Sequence, residues 1–296
     1  MTLQQETQSW TVRDLMKVSI DHLQRHGFDE ARLTVELLLS HALQCQRIQL
    51  YTRFDQPLTK DELGTFRSLF ERRLRHEPVQ YIVGSAGFMG MQFRVDPRVL
   101  IPRPETETLV EQTMLMCSRR PQKETITLLE IGTGSGNIAI SLSKLVRGIQ
   151  VTSIDANVRS LEVARENAEI HQVTDRVALH AISVFGPLAG LLKQKFDLLV
   201  SNPPYVSAEE WDHLAPEVRE HEPRGAISDA KDGLEFYRRI GSVAGEVLRH
   251  GGQVLVEIGF GQSESVQEIF KDAGLTEISS ANDLQGIPRV LTAKYP

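Results

Sequence analysis

The run ITLLEIGTGSGN, residues 126–137, decides the fold. Ile126–Ile131 is an apolar, β-branched run of strand length. It meets three glycines, Gly132, Gly134 and Gly136, and Asn137 then opens a helical pattern. Glycines at such a turn let the chain reverse tightly and let backbone approach a ligand. The dinucleotide fingerprint is GxGxxG, with a pyrophosphate on the helix N-terminus. The spacing here is GxGxG, which suits a nucleoside ligand without a phosphate. A purely structural strand-to-helix turn explains one or two of these glycines, but three at the end of the first strand less easily.

Outward from this run the pattern repeats. Strands are expected at 126–131, 150–155, 177–182, 196–201, 253–258, 276–279 and 289–294. Helices are expected at 137–146, 158–171, 234–249 and 263–273. Apolar strands alternating with helices imply a mostly parallel sheet covered on both faces, with ligands at the carboxyl ends of its strands. Upstream the pattern is helical. Val12, Leu15, Met16, Ile20 and Leu23 fall on one face of a helix over 11–26, with Thr11 and Asp14 spaced as a capping box. Further helices are expected over 30–43 and 59–76, the latter opened by Thr59 and Glu62 and closed before Pro78. The stretch QYIVGSAGFMGMQFRV from Gln80 reads as a hairpin or extended connector. The organisation expected is a helical domain over 1–79, a hairpin connector over 80–104 and an α/β domain over 105–296.

With 296 residues, 41% of them hydrophobic, the chain is long enough for two cores. Its net charge of −6 disfavours a duplex-binding protein, which usually carries a basic face. The two cysteines and scattered histidines have neither disulfide-framework nor zinc spacing, so no metal is expected. The polar segment 1–9 is not a signal peptide, and no apolar run is of spanning length. A cytoplasmic monomer without a membrane contact is the expectation.

Two further positions carry chemistry. Asp155 ends the second strand, where a carboxylate accepts hydrogen bonds from both hydroxyls of a ribose; a helix N-cap is the competing reading. Asn202-Pro203-Pro204-Tyr205 follows the apolar strand 196–201. Two prolines fix the backbone and remove two N–H donors. What remains are acceptors, the Asn202 side-chain carbonyl and a main-chain carbonyl, able to hold both hydrogens of a planar –NH2. The Tyr205 ring is expected to pack on the flat face of that group.

Together these strings resemble class I methyltransferases that act on planar nitrogens. LIPRPETE at 100–107, HEPR at 221–224, Asp232-Gly233-Leu234, Tyr237, VEIG at 256–259 and GIPRV at 286–290 narrow the resemblance to the release factor glutamine methyltransferase family. It covers nearly the whole chain. It implies a Rossmann-like seven-stranded domain and S-adenosyl-L-methionine as cofactor. It implies peptide chain release factors as partners, methylated at the N5 nitrogen of the glutamine in their Gly-Gly-Gln motif. The cofactor residues expected are Glu130, Gly132, Thr133, Gly134, Ser135, Gly136, Asp155, Ser183, Val184 and Asn202. Asn202, Pro203, Pro204 and Tyr205 are the expected catalytic and substrate-binding residues. The family usually has an acidic residue after the third strand, facing the adenine amino group; here Ser183 stands there. Arg103 and Glu105 are expected near the methionine end or ordering their loop. An adenine-N6 nucleic-acid methyltransferase, a ribosomal-protein glutamine methyltransferase and a non-catalytic nucleoside-binding module are the competing readings. Gly251-Gly252-Gln253 is expected to be a helix-ending turn, and Arg72-Arg73-Leu74-Arg75 a solvated helix face.

Overall fold

The computed structural model describes residues 10–119, 125–188 and 194–296. The segment 1–9, read above for targeting signals, lies outside them. The chain divides into two compact units, Met1–Gly84 and Ser85–Pro296.

In the first unit, α1 (Val12–Arg25), α2 (Ala31–Ala42), α3 (Arg47–Thr52), α4 (Lys60–Leu74) and α5 (Val79–Val83) enclose a core that includes Leu23, Leu38, Leu39 and Leu50. Both capping boxes form: the Asp14 and Glu62 amides donate to the Thr11 and Thr59 hydroxyls, each at 3.2 Å. Glu36, buried in this unit, accepts from Arg32, Arg47 and Tyr51. Two expectations fail. Residues 80–83 are helical rather than extended, because Pro78 starts α5 and Gly84, at φ 75°, ends it. The arginine run is not a uniformly solvated face: Arg73 is buried, with its guanidinium 4.6 Å from the Phe28 ring centroid and donating to the Glu77 carbonyl.

The second unit opens with the hairpin β1 (Ser85–Phe88) and β2 (Met91–Arg94), followed by α6 (Glu105–Ser118). Then come β3 (Ile126–Ile131), α7 (Asn137–Leu145), β4 (Ile149–Asp155), α8 (Val158–Ile170), β5 (Val177–Ala181) and β6 (Phe196–Ser201). Two short helices, α9 (Ala208–Trp211) and α10 (Pro216–His221), precede α11 (Glu235–Val247), β7 (Leu248–Glu257), α12 (Ser263–Asp272), β8 (Thr276–Asn282) and β9 (Pro288–Lys294). The sheet order is β5-β4-β3-β6-β7-β9-β8. Pairing is parallel from β5 through β7 and antiparallel at β7–β9 and β9–β8. The α/β class and the seven expected strands are thus borne out.

Strand alternation sorts the side chains. Leu129 and Ile131 of β3 join the core under α11 and α12, whereas Ile126 and Leu128 join the one under α6, α7 and α8. Glu130 and Glu257 follow the parity of Leu128 and Leu255, so both project into the second core, where both are fully buried.

The sequence pattern misses α6 because Thr106, Thr113 and Cys117 share its buried face with Leu109 and Val110 and blur the apolar stripe. Gly251 and Gly252 also differ from expectation. α11 ends at Val247, and the two glycines lie inside β7, in the irregularity where Phe196 pairs with Leu248 and Leu198 already pairs with Gln253. The hairpin is tied to the domain by Asn167 of α8, which is fully buried. Its Oδ1 accepts from the Arg94 amide at 2.7 Å, and its Nδ2 donates to the carbonyls of Arg94 and Ser135.

Candidate active site

β3 is the switch point of the sheet. The chain leaves it for β4 and β5 on one side and returns to β6 on the other. Ligands bind at the carboxyl ends of strands around such a point. Ile131 and Ser201 are paired there, so Gly132 and Asn202 leave the sheet side by side. A Cβ built on Gly132 would stand 3.7 Å from the Asn202 carbonyl oxygen.

A cavity of about 410 Å³ opens over these two loops. Gly132, Thr133, Gly134, Ser135, Asp155, Ser183, Val184, Asn202, Pro203 and Pro204 all line it. Glu130, Gly136 and Tyr205 do not. Gly136 is a packing position: at φ 81°, its Cβ would meet Ile140 Cδ1 at 2.9 Å and Ala164 Cβ at 3.3 Å, so its absence lets α7 and α8 close.

Asp155 is held from two sides. Its Oδ2 accepts from the Gly134 amide at 3.0 Å and its Oδ1 from the Asn157 amide at 2.8 Å. The cap of α8 is Asn157, whose side chain accepts from the Arg159 amide. Asp155 is therefore not the helix cap; it lines the cavity, and its carboxylate keeps acceptor capacity beyond these two bonds.

Ser183 sits in a turn in which the Gly186 amide donates to the Ser183 carbonyl and the Phe185 amide to Ser183 Oγ at 3.3 Å. Arg239 of α11 fixes this turn from behind, donating to the carbonyls of Val184 and Gly186, each at 2.7 Å. Ile182, Phe185 and Phe236 make the adjoining wall apolar, with the two phenylalanine rings edge to face at 5.0 Å. At the other end Arg103 lines the cavity and pairs with the buried Glu222, whose second oxygen accepts from the Ile101 amide at 3.1 Å. Arg103 thus orders the segment before α6 and also presents positive charge to the cavity. A nucleoside with a charged amino-acid tail fits this donor set: a carboxylate for hydroxyls, an apolar slot for a base and a cation for a carboxylate.

Beneath the loops lie two buried acids. Ser153 donates to Glu130 Oε2, and Thr133 Oγ1 lies 2.6 Å from Ser153 Oγ. Because Ser153 spends its only hydrogen on Glu130, Thr133 is the donor of that second bond. Burial pushes Glu130 up to about 8. Glu257 accepts from Tyr205 Oη at 3.3 Å, and burial pushes it up to about 7. Tyr205 is drawn behind its loop by this bond. Gln262 Nε2 donates to the Tyr205 carbonyl at 2.9 Å, and Gly233, at φ 79°, leaves room that a Cβ would occupy 2.4 Å from that oxygen. Burial and the Glu257 charge raise the Tyr205 phenol. Asn202 Nδ2 donates to Thr106 Oγ1 at 3.0 Å.

Sequence and structure comparisons fit this geometry. The family model described as the PrmC N-terminal domain matches residues 14–84, and that of the methyltransferase small domain matches 107–218. A release factor glutamine methyltransferase of Geobacter sulfurreducens is 42% identical over 95% of this chain and 96% of its own. The chain belongs to the release factor glutamine methyltransferase family. A second member, from Chlorobaculum tepidum, is 44% identical over 86% of this chain and 87% of its own. A methyltransferase of Pyrococcus furiosus, 19% identical, covers 78% of this chain and 98% of its own with a TM-score of 0.51, a likeness of fold. The family resemblance drawn from the sequence motifs is borne out. Thr106 and Glu222 fall within quoted motifs that gave them no role, and Asn167 lies outside the motifs; all three position this methyltransferase's loops from other elements.

The placement of Glu130 makes a prediction. Its carboxyl is raised in the fold from an ordinary 4.5 to about 8, so the folded state holds more protons and stability falls as pH rises across that interval. Glu130→Gln removes the part of that loss due to this residue. Thermal melts from pH 5 to 9 should show a flatter profile than the parent, with a smaller slope left below about 7 from Glu257. Cofactor affinity should stay within about threefold, since a neutral isostere keeps the Ser153 bond outside the cavity. A large loss of affinity with an unchanged pH profile would return Glu130 to the binding site.

Proposed function

We propose that this methyltransferase transfers a methyl group from S-adenosyl-L-methionine to the side-chain amide nitrogen of a glutamine in peptide chain release factors, the glutamine of their Gly-Gly-Gln motif. The observation that carries the reading is Asn202. Its Nδ2 is committed to Thr106 at 3.0 Å, so its carbonyl oxygen is left for a donor in the cavity. An –NH2 group is such a donor, and the main-chain carbonyl of Pro203 supplies a second acceptor.

S-adenosyl-L-methionine supplies an electrophilic methyl on a sulfonium. Asp155 takes the ribose hydroxyls, Gly132 to Ser135 line the loop under the adenosyl and methionine portions, and Ser183 and Val184 lie at the adenine end. Arg103 faces the carboxylate. An amide nitrogen is a weak nucleophile, because its lone pair is delocalised into the carbonyl. Asn202 and the Pro203 carbonyl hold it in line and stabilise positive charge that develops on nitrogen. The alkylated amide is strongly acidic, so its proton leaves to water without a strong base. Tyr205 braces the loop through Glu257 rather than stacking on the amide.

The adenine-N6 reading shares the –NH2 chemistry. The net charge of −6 and the identity to glutamine methyltransferases support a protein substrate instead. Free Cys45 and Cys117 suit a reducing compartment. Labelled cofactor incubated with unmodified release factor, followed by peptide mapping, tests the proposal. The label belongs on the glutamine amide; label in DNA, RNA or another side chain opposes it.

Two substitutions separate the roles. Asn202→Ala should lower turnover about 100- to 1,000-fold, as for loss of one transition-state hydrogen bond of about 2.7–4 kcal/mol, with cofactor affinity nearly intact. Turnover within threefold of the parent rules the role out. Asp155→Ala should weaken cofactor binding roughly tenfold or more by calorimetry, through loss of charge-assisted hydrogen bonds. Unchanged affinity would leave Asp155 as a brace for the Gly134 amide alone.

A further inference from the structure

Three strings of the sequence have no part in the chemistry set out above: Asp232-Gly233-Leu234, Tyr237 and VEIG at 256–259. In the structure they converge on one side chain, Gln262, which directly precedes α12. Its Nε2 donates to the Tyr205 carbonyl at 2.9 Å, and its Oε1 accepts from the Gly259 amide at 3.0 Å. Tyr237 is fully buried; its hydroxyl donates to the Glu257 carbonyl at 2.9 Å and stands 3.4 Å from Gln262 Oε1. The two glycines make the room. A Cβ on Gly233 would stand 2.4 Å from the Tyr205 carbonyl oxygen and 3.0 Å from Gln262 Nε2, and one on Gly259 would stand 2.7 Å from Gln262 Oε1.

The Gln262 amide cannot be turned over in this seat. A peptide N–H only donates and a peptide carbonyl only accepts, so two main-chain groups fix which end of the amide faces which loop. The loop after β6 has little else to hold it. Pro203 and Pro204 have no N–H to give. Among the described residues, the main chain of Pro203, Pro204 and Tyr205 has one hydrogen bond, the one from Gln262. The next main-chain bond along is that of the Val206 amide to the Ile227 carbonyl, at 3.0 Å. A proline ring fixes φ and leaves ψ to its surroundings. The direction of the Pro203 carbonyl therefore depends on where the chain is fastened two residues later.

We propose that Gln262 is a positioning residue for methyl transfer. It clamps the Tyr205 carbonyl to the loop after β7 and so holds the Pro203 carbonyl beside Asn202, facing the glutamine –NH2. The inference rests on the amide-methylation reading of Asn202 and Pro203.

The test is steady-state turnover with unmodified release factor, alongside calorimetric cofactor titration and a thermal melt of each variant. Gln262→Glu keeps the shape and the acceptor for the Gly259 amide, but sets an oxygen against the Tyr205 carbonyl. Gln267→Glu makes the same chemical change one turn further along α12, where the side chain donates to Ser263 Oγ at 3.1 Å. Gln262→Glu should lower kcat about tenfold or more while the cofactor Kd stays within about threefold, and Gln267→Glu should keep kcat within about twofold. Gln262→Met, of similar length and without the donor, makes the comparison if the glutamate variant does not fold. The account is overturned if a folded Gln262 variant keeps kcat within about twofold of the parent, if Gln267→Glu is equally impaired, or if cofactor Kd rises in step with the loss of kcat. The parent enzyme in the same assay separates this from the function itself. A parent that fails to methylate release factor sinks the functional reading; an active parent with an undiminished Gln262→Glu sinks the clamp alone.

Discussion

The site depends on one constraint, the parallel pairing of β3 with β6 at the point where the strand order reverses. Both strands are buried along their whole length, so each is covered on both faces, and a one-residue slip would move every side chain out of the core it packs in and into the opposite one. With Ile131 opposite Ser201, the glycine loop and the Asn202 loop start from neighbouring points. In the proposed function, that adjacency is what brings a methyl donor and a planar amide together.

Holding the loops in that place requires polar groups where the sheet is otherwise apolar. Glu130 and Glu257 sit at the carboxyl ends of β3 and β7, the apolar strands on either side of β6, on the same sheet face, each fully buried. Each reaches its loop through a hydroxyl: Glu130 through Ser153 and then Thr133 to the glycine loop, Glu257 through Tyr205 to the loop after β6. Both carboxyls are raised by burial, to about 8 and about 7. The desolvation they suffer stands against the directionality they impose, since a hydrogen-bond chain that ends on a carboxyl specifies which way each donor points. Apolar replacements would pack, but would leave the loops free to choose.

Much of this was legible in the sequence. The seven strands followed from apolar runs bounded by glycines, and the cavity residues from Gly132 to Ser135, together with Asp155 and Asn202, from their place after those runs. What was not legible has local causes. The helix 105–118 hides because two threonines lie on its buried face, and one of them, Thr106, is the residue that meets Asn202. Glu130 and Tyr205 were expected at the ligand; strand parity turns Glu130 into the core, and the bond to Glu257 draws Tyr205 behind its loop. Residues such as Asn167 and Arg239 act across 32 to 55 positions of chain, and no local pattern announces them; Glu222 stood in the HEPR string, but its bond to the Ile101 amide 121 positions away did not show there. The one available signal was an acid within each of the apolar strings LLEIG and VEIG, a position where a charged side chain needs a structural partner.

The central claim is that Asn202 presents its carbonyl oxygen, with the Pro203 carbonyl, to a glutamine –NH2 beside the cofactor. A crystal structure of this chain with S-adenosylhomocysteine and a release-factor peptide carrying the unmodified glutamine tests it most directly. The account predicts the amide nitrogen within about 2.7–3.2 Å of both Asn202 Oδ1 and the Pro203 carbonyl oxygen, pointing at the sulfur. A glutamine held by its carbonyl on Asn202 Nδ2, or bound away from the loop after β6, would contradict it.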